Sequence, residues 1–167
     1  MRVAIALFAF LFAASFAVSA LASEGSVIAS GGRWAAVLRG DQCDAESFAL
    51  DAPVAGKARA LAGFTFTGDH TRWGQFHARL SRVPRGGASV IAIVGRKPFQ
   101  LVVRGQWAWS IGPAQERALI DAMRSADSLR IQSRDGAGRR FTDRYSLDFA
   151  PTAIDAAAAR CSMLAPR

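Results

Sequence analysis

Between Ser128 and Leu147, polar and apolar residues alternate on both sides of a glycine turn, and no other feature limits the fold more. Leu129 and Ile131 alternate with Arg130 and Gln132. After Asp135-Gly136-Ala137-Gly138, the residues Phe141, Tyr145 and Leu147 alternate with Arg140, Thr142, Arg144 and Ser146. A period of two puts successive side chains on opposite faces, which specifies an antiparallel hairpin with one buried and one wet face. A helix would scatter the same residues around its axis. Pro151-Thr152-Ala153-Ile154-Asp155 then opens an alanine-rich helix, expected over 152–162, with Cys161 in its last turn.

Similar short runs fill most of the remaining chain. Arg33 to Leu38 reads as a strand stopped at Gly40. Asp41 to Asp51 shows little pattern beyond Phe48 and Leu50, and reads as a loop or short edge segment. A turn over Pro53 to Gly56 leads to a strand over Ala60 to Thr67, in which Gly63 marks a candidate bulge. From Trp73 to Arg82, Phe76, Ala78 and Leu80 face one way, with Gln75, His77, Arg79 and Ser81 opposite. Ser89 to Val94 is apolar at consecutive positions and too short for a helix, so it is expected to be a central strand covered on both sides. Phe99, Leu101 and Val103 alternate with Gln100, Val102 and Arg104, and Trp107 and Trp109 share a face.

A further helix is expected over 113–125. Pro113 suits its first turn, Glu116 the positive end of its dipole and Arg124 the other end, with Ala118, Leu119, Ala122 and Met123 as the apolar stripe. Short strands at regular spacing with two short helices predict a mainly β fold, an antiparallel β-sandwich or flattened barrel. No repeat or low-complexity linker interrupts it. The expected organisation is a flexible lead-in over 23–32 and a single β-rich domain over 33–167.

The N-terminus names a compartment. Met1-Arg2 is followed by an uncharged run from Val3 to Ala22, ending in the small-x-small site Ala20-Leu21-Ala22. Residues 1–22 therefore read as a secretory signal peptide cleaved near Ala22, with Val18-Ser19-Ala20 as a second site. An uncleaved anchor is the alternative, since the run is long enough to span a bilayer. The mature chain of about 145 residues is expected to be periplasmic or secreted, soluble and without a membrane span.

Two cysteines, Cys43 and Cys161, are then expected to pair in an oxidising space. Buried free thiols and a reactive nucleophile remain as alternatives. The formal charge of +8 becomes +7 when Arg2 leaves with the signal, and lysine supplies only Lys57 and Lys97 of the positive side chains. Such basicity favours acidic partners, namely lipopolysaccharide, peptidoglycan or anionic lipid, whereas no nucleic-acid motif is present. Arg130, Arg134, Arg140 and Arg144 fall on the outer face of one hairpin and form the candidate anion-binding residues, against a reading as a merely solvated face.

The order of elements resembles the invasion-associated locus B family of exported bacterial proteins. The likeness rests on an early strand with Trp34, the helix before a strand pair, Asp135-Gly136-Ala137-Gly138-Arg139-Arg140-Phe141, Tyr145-Ser146-Leu147 and Thr152 to Ala157. It is clearest from Trp107 to Cys161. Members resemble this reading in being β-sandwich domains of the envelope, and typically carry more cysteines, in closely spaced pairs. The family prescribes no catalytic residues.

Other residues admit sharper chemistry. His70 and His77, with Asp69 nearby, invite a metal or acid–base role, but no third convergent ligand is evident. No metal or cofactor is therefore expected. Asp143 falls on the inward face between Phe141 and Tyr145, where a carboxylate needs a partner, expected to be an arginine. Trp107 and Trp109 read as core packing first, and as an aromatic platform for glycan or lipid second. The leading expectation is a non-enzymatic envelope domain that binds an anionic envelope or host component through its arginine face. A small periplasmic hydrolase or metal-dependent enzyme using His70 or His77 is the alternative.

Overall fold

A computed structural model describes residues 25–53 and 56–164. The expected signal peptide lies outside the described residues, as do the first two residues of the lead-in and part of the turn expected over 53–56. The described chain forms strands β1 (Ser26–Gly31), β2 (Trp34–Arg39), β3 (Gln42–Phe48), β4 (Leu61–Thr67) and β5 (Trp73–Arg79). After these come β6 (Val90–Val94), β7 (Lys97–Arg104), β8 (Trp107–Trp109), helix α1 (Pro113–Met123), β9 (Ser128–Arg134), β10 (Arg140–Ser146) and helix α2 (Ala150–Ser162). Both helices and the 128–147 hairpin sit where the sequence pattern puts them.

All strands join one antiparallel sheet in the order β1-β2-β3-β4-β5-β8-β7-β6-β9-β10. The sheet is not closed into a barrel. It folds over so that its far strands meet, as in a sandwich. The Trp34 indole donates to the Ser146 carbonyl, tying β2 to β10, and the Ser81 amide after β5 donates to Asp143 on β10. Alternation then decides which side chains fill the space between: Trp34, Phe64, Phe76, Leu80, Val90, Leu129, Ile131 and Tyr145 are buried there.

Helix α2 lies on the core side of β1 to β4. Its buried residues Ala150, Ala153, Ile154, Ala157 and Cys161 recur at helical spacing, and their small size lets it approach the sheet closely. Cys161 thereby reaches Cys43 on β3 and the two form a disulfide, with Cα atoms 5.8 Å apart across 118 residues of chain. In helix α1 the buried stripe is Glu116, Leu119, Ala122 and Met123, and Ala118 is exposed instead. Glu116 tolerates burial because the Ser110 hydroxyl donates to it.

Four local expectations change. The lead-in over 23–32 contains strand β1, which pairs with β2 and packs Ile28 and Ala29, partly buried, against the core. The weakly patterned 41–51 segment contains the internal strand β3: its inward residues Cys43, Ala45 and Ser47 are small because α2 covers them, so the apolar signal is faint. Gly63 is in regular register, and the irregularity in the β4–β5 pairing lies between Thr65 and Phe66. Strand β6 is internal but covered on one side only, with Ile91 and Ile93 partly exposed.

Candidate functional site

The β9–β10 ladder sets Arg134 directly across from Arg140, and Arg130 across from Arg144. All four are exposed, on the face opposite Leu129, Ile131, Phe141 and Tyr145. Among the described residues Arg130 and Arg140 have no ion-pair partner, Arg134 donates to the Gly138 carbonyl, and Arg144 lies 3.6 Å from Asp51. Arg85, Arg134 and Arg140 also line one shallow cavity beside this face. The structure thus gathers all four arginines named from sequence.

The hairpin turn that aligns them is held by Asp135. One carboxylate oxygen accepts from the Ala137 and Arg139 amides, and the other from the Arg82 and Arg139 side chains. Burial pushes this carboxyl upward, but the hydrogen bonds prevail and hold it down at about 2. Gly138 supplies the left-handed residue the turn requires, with φ of 77°. The Asp135-to-Phe141 motif is therefore turn chemistry.

Asp143 does point inward and is buried, but its partner differs from the expected arginine. It accepts from the Ser81 backbone amide at 2.9 Å and makes no ion pair among the described residues. Burial raises its pKa. The amide of Ser81, just past β5, stands where the arginine was expected.

The two histidines occupy different places. His70 is an exposed turn residue with φ of 59°, stacked on Trp73 with ring centroids 4.0 Å apart. Its neighbour Asp69 accepts from the Thr67 hydroxyl and from the Thr71 amide and hydroxyl, which lower its pKa to about 2. Asp69 is thus engaged in its own turn. His77 lies two residue pairs into the β4–β5 ladder, facing outward across from Gly63. Among the described residues no group of three or more His, Cys, Asp or Glu side chains converges as a metal site would.

His77 instead joins a network that the loop reading of 41–51 concealed. The Thr65 hydroxyl donates to Asp44 Oδ1 at 2.7 Å and lies 3.2 Å from His77 Nδ1. A carboxylate only accepts, so the Thr65 proton points to Asp44 and Nδ1 must carry the proton shared with Thr65. Nε2 is then the accepting nitrogen of the neutral ring. Burial lowers the His77 pKa, outweighing the pull of Asp44 and Glu46. Arg39 binds both Asp44 and Glu46, and its hydrogen bond to Glu46 raises its own pKa. The order carboxylate–hydroxyl–imidazole sends the hydroxyl proton away from the base, opposite to what nucleophile activation needs. Gln42, Asp44 and Glu46 alternate with Cys43, Ala45 and Ser47, and that period was the signal to be found in the sequence.

Trp107 and Trp109 are not core residues. Both lie on the outer face of β8, partly exposed, with ring centroids 6.4 Å apart and planes 20° from parallel. Only Ala108 between them is buried. A three-residue strand with a buried alanine can fill the core at one position only, so both indoles turn outward.

No family model, no curated protein and no solved structure matches the chain.

Proposed function

We propose that the protein is an exported, non-enzymatic β-domain that binds an anionic component of the bacterial envelope through the arginine face of β9–β10. The observation carrying this reading is the placement of Arg130 against Arg144 and Arg134 against Arg140, all exposed. Like charges directly opposed across a ladder repel. An anion lying between them removes that cost, and guanidinium groups suit phosphate and carboxylate oxygens in paired hydrogen bonds. The formal charge, +8 for the full chain and +7 without Arg2, adds long-range attraction. Lipopolysaccharide phosphates and peptidoglycan carboxylates are such anions in a periplasm, and a host surface is the counterpart for a released protein. The sequence resemblance to the invasion-associated locus B family supports the same compartment, as does the Cys43–Cys161 bridge. No helix among the described residues is long and apolar enough to cross a membrane.

The test is co-sedimentation of the mature protein with vesicles containing lipopolysaccharide, at low and high salt. The double substitution Arg130→Gln and Arg140→Gln is expected to weaken binding about tenfold at low ionic strength and to flatten its salt dependence. Wild-type binding by that variant would remove the arginine face from the account.

A further inference from the structure

On the outer side of β3, β4, β5 and β8 the register lines up Glu46, Gly63, His77 and Trp109 in one row. Asp44, Thr65 and Gln75 form the next row, and Leu61, Arg79 and Trp107 the one on the other side. Gly63 adds no side chain to the first row. Larger residues stand on either side: Arg39, Asp44 and Glu46 along one wall, Trp107 and Trp109 along the other. The result is an open groove of about 400 Å³, lined also by Gln42, Arg72 and Gln75. Both helices pack on the opposite side of the sheet, so neither covers it.

We propose that this groove binds an uncharged segment of a glycan chain. Three observations on residues separate from the arginine face carry the assignment. First, two near-parallel indoles remain partly exposed, although burial is the favourable state of so large an apolar ring. A pyranose offers such rings a face of C–H groups. Second, the lining is rich in hydrogen-bonding groups, which match a rim of hydroxyls that both donate and accept. Gln75 offers both roles, Arg72 donates, and His77 Nε2 accepts once Nδ1 is committed to Thr65. Third, the charges balance. The carboxylates Asp44 and Glu46 are both bound by the Arg39 guanidinium, Arg72 adds a second guanidinium bonded to Gln42, and burial favours neutral His77. A cationic or anionic ligand gains little from such a lining. A lipid chain would leave buried polar groups unsatisfied. A concave site with an apolar platform and a few convergent polar groups suits a saccharide.

The experiment is calorimetric titration of the mature protein with three neutral tetrasaccharides: chitotetraose, cellotetraose and maltotetraose. At least one is expected to bind one-to-one. Trp109→Ala is expected to weaken that binding about tenfold or more. Gln75→Leu, on the groove floor and away from the core, should weaken it as well, and keeps the test decisive if Trp109→Ala fails to fold. The Arg130→Gln, Arg140→Gln variant should bind the sugar as wild type does, so the two sites stand or fall apart. Absence of binding by all three sugars at millimolar concentration overturns the proposal. So does binding that survives both groove substitutions.

Discussion

Asp135 accepts four hydrogen bonds at the tip of the β9–β10 hairpin, and the ionised form is the one they favour. Its pKa falls from an ordinary 3.8 to about 2, so the folded chain binds this proton less readily than the unfolded chain. The stabilisation is complete above the unfolded value and is lost as pH falls through the folded one. Asp69 shifts in the same direction to about 2 and acts in the same window. Urea midpoints are therefore expected to drop between roughly pH 4 and pH 2. Asp135→Asn, which accepts but does not ionise, should make that drop shallower. An unaltered pH profile in the variant would show that the turn does not draw on the charge.

At the level of single elements, β4 shows how close strand pairing depends on an absent side chain. A Cβ on Gly63 would stand 2.5 Å from the Ala45 carbonyl oxygen and 3.1 Å from Glu46 Cβ. The nearer atom is backbone of a paired strand, which has little room to yield. Gly63→Ala is expected to cost about 1–3 kcal/mol in equilibrium unfolding, although alanine is ordinarily the better strand residue. A variant as stable as wild type would mean that β3 and β4 can separate there without penalty. Elements of this kind divide what the sequence discloses from what it conceals. The β9–β10 hairpin was legible because its inward residues are large and its outward ones charged. Strand β3 was not, because α2 lies over Cys43 and Ala45 and only small side chains fit beneath it. With β3 read as a loop, Asp44 and Glu46 had no face, and the network through Thr65 to His77 could not be assembled. The indoles of β8 were misread for a related reason: alternation shows that Trp107 and Trp109 share a face, but not which face is the core. That depends on neighbours β5 and β7, which pair with β8 from both sides.

Across the whole molecule the fold is closed by contacts between distant parts of the chain. The Trp34 indole reaches Ser146, the Leu50 amide donates to the Arg144 carbonyl, and the disulfide joins β3 to α2. The first two are single hydrogen bonds, each adding about 1 kcal/mol net. The disulfide is of a different order, since it removes from the unfolded ensemble every conformation that separates Cys43 from Cys161. For a loop of 118 residues the chain-entropy model gives roughly 4–5 kcal/mol. Helix α2 covers β1 to β4, so loosening it uncovers the inward side of β3 and β4, whose outward side forms part of the groove. Replacing both cysteines by alanine is thus expected to lower the unfolding free energy by about 4 kcal/mol, read from urea titration. Because the unbridged chain unfolds to a more expanded state, the slope of that titration should rise as well. Equal midpoints for the two proteins would mean that α2 is held by packing alone. The Cys43–Cys161 bridge would then contribute nothing to stability.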